Sequence, residues 1–368
     1  MYQPPLATIQ ELITIPSTAD NATALAQAVD FVADLLKDIP GITIDRFEQN
    51  GKPSLLAYFT PQRPKRFDIL FNAHVDVVPA TLEQFVPRLE NGRLYGRGSY
   101  DMKAACVVMV DVFRTYGAQS PQTVGLQIVS DEETGGYDGA KLQIDAGVAA
   151  DLVITGEMTD GQICNEARGL CWVDITFRGT TAHGGYPWKG DNAVAKAADA
   201  ARAILQKYPH ITEETWTTTA NIAALSTEND TYNKVPDSAT LKIDFRFTPE
   251  DPVFHNRENV QAFVESVAPG SELRFELFEP AVNVPANQPQ LLQLCEAYSS
   301  ITGKPATLIK RYASSDARLF ALAGQHCVEF GPAGNHHHGS DEYLDVASLV
   351  PFHDTLVALL SKPRPSRP

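Results

Sequence analysis

The chain has little that would tie it to a nucleic acid, a membrane or a disulfide framework. Lys and Arg total 30 against 45 Asp and Glu in 368 residues, a formal charge of −15. The basic residues form no long run, so the surface repels phosphate backbones and no nucleic-acid partner is expected. No stretch of 18 apolar residues occurs, and the opening "MYQPPLATIQELITIP" lacks a basic segment followed by an apolar one. Both absences predict a soluble, cytoplasmic protein without a membrane partner. The five cysteines, Cys106, Cys164, Cys171, Cys295 and Cys327, form no C-x-x-C pair and mostly sit in apolar runs such as "AACVVMV" and "QHCVEF". They read as small buried hydrophobes, so any metal must be held by oxygen and imidazole.

What is present suffices for a large core: 43% of residues are hydrophobic and 20% charged. The length exceeds one ordinary hydrophobic core, which predicts two domains or one domain with a sizeable insertion. Over the first 160 residues, short apolar runs that end in polar turns alternate with helical patterns, as in an α/β sheet with parallel strands. "FDILFNAHVD", "TVGLQIVSDEETGG" and "ADLVITGEMTD" read as buried strands running into loops, and "ALAQAVDFVADLLKDI" and "MKAACVVMVDVFRTYG" as helices. From about residue 170 the texture changes. "CWVDITFRGT" and "ATLKIDFRFTP" alternate apolar with polar residues, like half-exposed antiparallel strands, and flank the helix "NAVAKAADAARAILQKY". After the Pro-rich "FEPAVNVPANQPQ" the earlier style resumes. The expected division is a domain of residues 1–169 and 284–368 interrupted by an α+β segment, 170–283.

In an open α/β sheet, ligands bind beyond the carboxyl ends of the strands. His74 and Asp76 follow "DILFNA", Asp131, Glu132 and Glu133 follow "GLQIVS", Glu157 follows "DLVIT", and His336, His337 and His338 lie just past "CVEFGP". Asp101 sits in a glycine-rich loop before a helix. Singly each has an ordinary explanation: a hydrogen-bonded H-x-D pair, a helix N-cap, a solvated acidic turn, a surface histidine loop. Four strand ends carrying His and carboxylate in one sheet are harder to ascribe to chance. Imidazole plus carboxylate suits Zn²⁺ or Co²⁺ first and Mn²⁺ next. Two such ions about 3.5 to 4 Å apart need a bridging carboxylate and ligands on each side. Adjacent Glu132 and Glu133 can divide the roles of base and ligand.

"AHVDVVP", "GRGSYDMK", "SDEETGG", "TGE", "GTTAHGGYPWKGDNAV" and "VEFGPAGNHHHGSDEY" occur in an order that resembles the co-catalytic metallopeptidase family of acetylornithine deacetylase, succinyl-diaminopimelate desuccinylase, aminoacylase and glutamate carboxypeptidase. The resemblance spans roughly residues 5 to 360. It implies an α/β, mostly parallel-sheet catalytic domain with helices on both faces and an inserted α+β lid or dimerisation domain. By that resemblance His74, Asp101 and Glu157 hold one zinc, and Asp101 bridges to a second held by Glu133 and His338. Asp76 orients His74, and Glu132 is the general base that activates water and protonates the leaving amine. Of the histidine triplet only His338 has the family's spacing to the acidic pair that follows, which leaves His336 and His337 to the loop.

In the lid, His183 resembles a histidine that reaches the partner subunit's site in dimeric relatives and polarises the scissile carbonyl. Asn233 and Arg246 match positions that bind the substrate's polar end; Arg246 alone would read equally as one half of a surface ion pair. Ser315 and Arg318, in "ASSDAR", resemble a substrate-contacting loop of the desuccinylase branch, although a polar helix start also explains them. Ala104 stands where the family has glycine, and Asp341 where the desuccinylases have asparagine, so no branch is matched throughout. The resemblance implies a homodimeric, zinc-dependent amidohydrolase acting on a small N-acyl amino acid, acetylornithine deacetylase-like or desuccinylase-like, with a dipeptidase or carboxypeptidase as the alternative. A silent relative that only binds amino acids is the reading from another class, and retention of Glu132 with every ligand argues against it.

Overall fold

The computed structural model describes residues 2–313 and 315–365. The chain divides into two compact units: Met1–Glu166 with Asn283–Ile309 and Ser315–Pro368, and Ala167–Val282 with Lys310–Ser314.

The first unit is built on a mixed sheet of β1 (Thr43–Gln49), β2 (Lys52–Tyr58), β3 (Phe67–His74), β4 (Val124–Val129), β5 (Ala150–Thr155), β6 (Ile163–Ala167) and β7 (Cys327–Phe330). Their spatial order is β1-β2-β4-β3-β5-β7-β6. The central pairs β4·β3, β3·β5 and β5·β7 are parallel, whereas the pairs toward the edges, β1·β2, β2·β4 and β7·β6, are antiparallel. Every residue of β3 and β4 is buried, which is why these strands read as unbroken apolar runs and not as alternations.

Parallel register aligns the strand ends. His74, last in β3, pairs with Val129, last in β4. Thr155, last in β5, pairs with Asn72 of β3 and Glu329 of β7. The loops after these strands therefore leave from one edge of the sheet.

Five longer helices surround this sheet: α1 (Leu6–Ile13), α2 (Ala22–Leu36), α3 (Lys103–Tyr116), α4 (Pro289–Thr302) and α5 (Leu349–Leu360). Asn21 caps α2 by accepting from the Ala24 amide at 3.1 Å. Helix α3 is buried from Lys103 through Val110, so it reads as apolar on all sides. It packs on β3, β4 and α5.

The second unit is an antiparallel sheet in the order Thr219–Ser226, Ser238–Phe247, Gly169–Arg178, Glu272–Glu279. The helices Ala193–Lys207 and Arg257–Val267 pack against it, each with an Asn at its start accepting from an amide three residues on. Phe245, Ile243, Leu241, Val173, Ile175, Ile204 and Val260 form its core. Two of the four strands carry the alternation visible in the sequence. Thr219–Ser226 and Glu272–Glu279 mix half-buried with exposed residues and bury almost none fully, so they leave a fainter signal.

Four cysteines are buried and Cys295 is half-buried, and all five are free thiols. Among the described residues no helix is long and apolar enough to cross a membrane.

Candidate metal centre and active site

The edge of the first unit's sheet gathers side chains that are far apart in sequence. His74 Nε2 lies 3.1 Å from Asp101 Oδ1 and 3.6 Å from Glu157 Oε1. On the other side of Asp101, its Oδ2 lies 3.2 Å from His338 Nε2, which is 3.3 Å from Glu133 Oε2. Two candidate ligand sets result, His74–Asp101–Glu157 and Asp101–Glu133–His338, each with its donor atoms within 4.8 Å of one another. Asp101 belongs to both.

Each set combines one imidazole with two carboxylates, a donor chemistry that suits a borderline divalent cation such as zinc. The local electrostatics agree. Burial alone would lower the His74 imidazole, but hydrogen bonds to Asp101 and Asp76 raise it well above its ordinary value. His338, bonded to Asp101 and Glu133, is raised to about 10. The same negative field that holds protons on these rings would hold a metal cation.

The surroundings fix the donors. His74 Nδ1 lies 3.0 Å from the Asp76 carbonyl oxygen and 3.5 Å from its Oδ1. An acceptor at Nδ1 puts the ring proton there and leaves Nε2 as the ligating lone pair. The Asp76 carboxylate also accepts from the amides of Glu132, at 3.3 Å, and Glu133, at 3.0 Å. Asp131 accepts from the amides of Asp138 and Gly139 at 2.7 and 3.0 Å, closing the acidic loop on itself. At Gly136, φ is +70° and a Cβ would lie 2.1 Å from Asp316 Oδ1, so that turn admits only glycine.

Glu132 is half-buried. Its carboxyl is pushed well above its ordinary value by burial and then by the charge of Glu157. That environment suits a group that takes up a proton and gives it back.

The other expected residues fall into three groups. His336 is exposed and bonds Asp341 at 2.6 Å, and the His337 ring lies 5.4 Å from that of His338; neither belongs to a ligand set. Ser315 and Arg318 are buried in the first unit and bonded to it. Ser315 Oγ donates to Glu329 Oε1 at 2.5 Å, and Arg318 donates to the carbonyls of Ser315, at 2.6 Å, and Gly135, at 2.7 Å. Arg318 thus braces the loop that carries Glu132 and Glu133.

In the second unit His183 is exposed, and the Gly185 amide donates to its Nδ1 at 3.0 Å, which places the ring proton on Nε2. The Asn233 carbonyl accepts from the Gly184 amide at 2.6 Å, and His183 pairs with Lys234, so His183 and Asn233 share one local frame. Arg246 Nε donates to both oxygens of Asp244, at 2.8 and 3.1 Å.

The motif reading assigned no role to Arg97, Lys103 or Glu342. Lys103 is buried, donates to the carbonyls of Leu12 and Ile15 at 3.2 and 2.7 Å, and is lowered to about 7 by burial. Nothing in the flanking "SYDMKAA" separates it from a solvated lysine.

Residues 70–362 match the model of the peptidase family M20/M25/M40. The chain belongs to that family. Membership makes it a metal-dependent amidohydrolase, in agreement with the resemblance of its motifs. Among curated relatives, succinyl-diaminopimelate desuccinylase from Herminiimonas arsenicoxydans is 26% identical over 94% of this chain and 96% of its own length. The same enzyme from Dechloromonas aromatica is 28% identical over 88% and 90%. Among solved structures, an aminopeptidase from Bacillus cereus superposes with a TM-score of 0.75 at 20% identity, covering 96% of both chains. A family M20 metallo-carboxypeptidase from Sulfolobus solfataricus gives 0.70 at 18%, covering 98% and 99%. These likenesses establish the α/β fold with its inserted lid.

Proposed function

We propose that this family member hydrolyses the amide bond of a small N-acyl amino acid that carries a free carboxylate, with an acylated diamino acid as the leading substrate class. The carrying observation is the pair of ligand sets that share Asp101 beside the half-buried Glu132. The names of the desuccinylase relatives favour a succinylated diamino acid, and an acetylated one such as N-acetylornithine is the next choice.

His74, Asp101 and Glu157 would hold one divalent ion and Asp101, Glu133 and His338 a second, zinc or cobalt first and manganese next, which together would polarise the scissile carbonyl and acidify a water. Glu132 takes the proton from the attacking water and delivers it to the leaving nitrogen. Asp76 holds both ends of this arrangement, the His74 ring and the amides of Glu132 and Glu133. His183, with its proton on Nε2, donates to the developing oxyanion of the partner chain's site in a homodimer, a role supported by the resemblance of its loop. Asn233 and Arg246 receive the substrate carboxylate. The Nε of Arg246 is taken by Asp244, which turns the Nη edge to the ligand.

The test is hydrolysis of a panel of N-succinyl-diaminopimelate, N-acetylornithine, N-acetyl amino acids and dipeptides by zinc-loaded and cobalt-loaded protein, with chelated protein as control. Turnover of one acylated diamino acid that chelation abolishes supports the reading. Turnover of dipeptides alone, or turnover that survives chelation, overturns it.

A further inference from the structure

The two ligand sets differ in what holds them. His74 ends β3, and Glu157 lies two residues beyond β5, so both inherit their positions from a parallel ladder. Glu133 stands in a single 3-10 turn, Glu132–Thr134, and His338 on a loop, with φ of +62° in a segment without regular structure. The central sheet does not bring His338 to within 3.2 Å of Asp101; a short antiparallel ladder that pairs Tyr343–Asp345 with Arg93–Tyr95 carries the two loops to the same place.

Beyond that ladder, the loops themselves are tied by a buried ion pair between two residues 245 positions apart in the chain. Arg97 is 3% exposed and Glu342 is 2% exposed, and Arg97 Nη1 lies 2.5 Å from Glu342 Oε2. The Glu342 carboxylate also accepts from three amides of the Asp101 loop: Gly98 at 3.2 Å, Tyr100 at 2.9 Å and Asp101 at 3.1 Å. Arg97 reaches in the opposite direction. Its Nη2 donates to the carbonyls of His338 at 3.1 Å and Gly339 at 2.9 Å. One side chain therefore holds the backbone of Asp101 and the other the backbone of His338, and the salt bridge locks the two together.

A buried ion pair by itself adds little to stability, because desolvation offsets its attraction. Here the bonds left after pairing go to the two loops that carry ligands, so geometry is what the pair supplies. We propose that the Arg97–Glu342 pair is a positioning device that keeps Asp101 and His338 in register, and so sets the affinity of the ion held by Asp101, Glu133 and His338 without touching it. The inference rests on the two-ion reading above.

The experiment titrates the full-length, metal-stripped protein with Zn²⁺ against a competing chelator and follows Co²⁺ binding by absorption, for the parent, Glu342→Gln and Arg97→Lys. His338→Ala identifies which binding step belongs to its set. Both variants should weaken that step about 10–100-fold, the range for partners that orient ligands, while the other step shifts by less than about threefold and the far-ultraviolet circular dichroism is unchanged. The double variant should lose little more than either single one, since both break the same link. Equal weakening of both steps, no change in either, or failure of both variants to fold would overturn the proposal and leave the pair a structural element. A parent protein that takes up fewer than two ions would overturn the two-ion reading and this inference together, and that result is read before any variant is made.

Discussion

The Asp76 carboxylate accepts a hydrogen bond from the Glu133 amide at 3.0 Å, although the two residues leave different strands. The adjacent Glu132 amide reaches its other oxygen at 3.3 Å, and His74 Nδ1 lies 3.5 Å from the same group. One carboxylate thereby orients two candidate ligands and the proposed base. Asp76→Ala should keep the fold and lower metal affinity about 10–100-fold, the usual cost of losing a partner that orients ligands. Chelator competition measures this, and an unchanged affinity would remove Asp76 from the site.

Glu132→Gln should retain both ions, since Glu132 belongs to neither ligand set. Loss of the proton carrier is expected to lower kcat by about 10² to 10⁴. Metal analysis paired with steady-state kinetics reads both halves of the expectation. Turnover near the parent rate would assign the base elsewhere.

Metal affinity should rise with pH. His338 is raised to about 10, so in the metal-free chain its ring is imidazolium near neutrality, and the hydrogen bonds of His74 to Asp101 and Asp76 shift that ring toward its charged form as well. A raised histidine stabilises the folded chain fully below its unfolded value of about 6.5, and loses that contribution as pH climbs through the folded value. A metal needs the neutral ring, so binding must expel these protons. Calorimetry in buffers of different ionisation enthalpy at pH 7 should show protons released per ion bound, fewer as pH approaches 10. Binding without proton release would contradict the assignment of His74 and His338.

Arg318 offers a separable outcome. Its donation to the Gly135 carbonyl places it as a brace of the Glu132 loop, whereas the motif resemblance made it a substrate contact. Arg318→Ala should lower kcat with little change in KM, and destabilise the protein by about 1–3 kcal/mol through the buried acceptors it leaves. A large rise in KM at constant kcat would restore the substrate role.

For His183, mixing His183→Ala with Glu132→Gln protein should recover part of the activity once hybrid dimers form. Confirmed heterodimers with no recovery would place His183 in its own chain's site or outside the chemistry.

The strand ends were legible because buried parallel strands leave a simple mark: "DILFNAH", "GLQIV" and "DLVIT" are apolar runs that stop abruptly at polar residues. The alternating strands 171–178 and 239–247 were legible for the opposite reason, one face in the core and one in solvent. The other two lid strands, half-buried or exposed along nearly all their length, carry a weaker contrast. Arg97, Lys103 and Glu342 lie in "GRGSYDMK" and "HGSDEY", and nothing in those stretches marks them as buried. Nothing local tells a charged residue that will be buried from one that will be solvated.

The type and order of the candidate donors along the chain were thus decided by sequence alone, since donor chemistry belongs to the side chain and strand ends are written in hydropathy. Which donors meet was decided by the fold. The parallel register of β3, β4 and β5 brings His74, Glu133 and Glu157 to one edge. The ladder between Arg93–Tyr95 and Tyr343–Asp345, with the Arg97–Glu342 contact beside it, brings Asp101 to His338 across 237 positions of chain. Such a contact depends on burial and direction in three dimensions, and neither is a property of any segment read by itself.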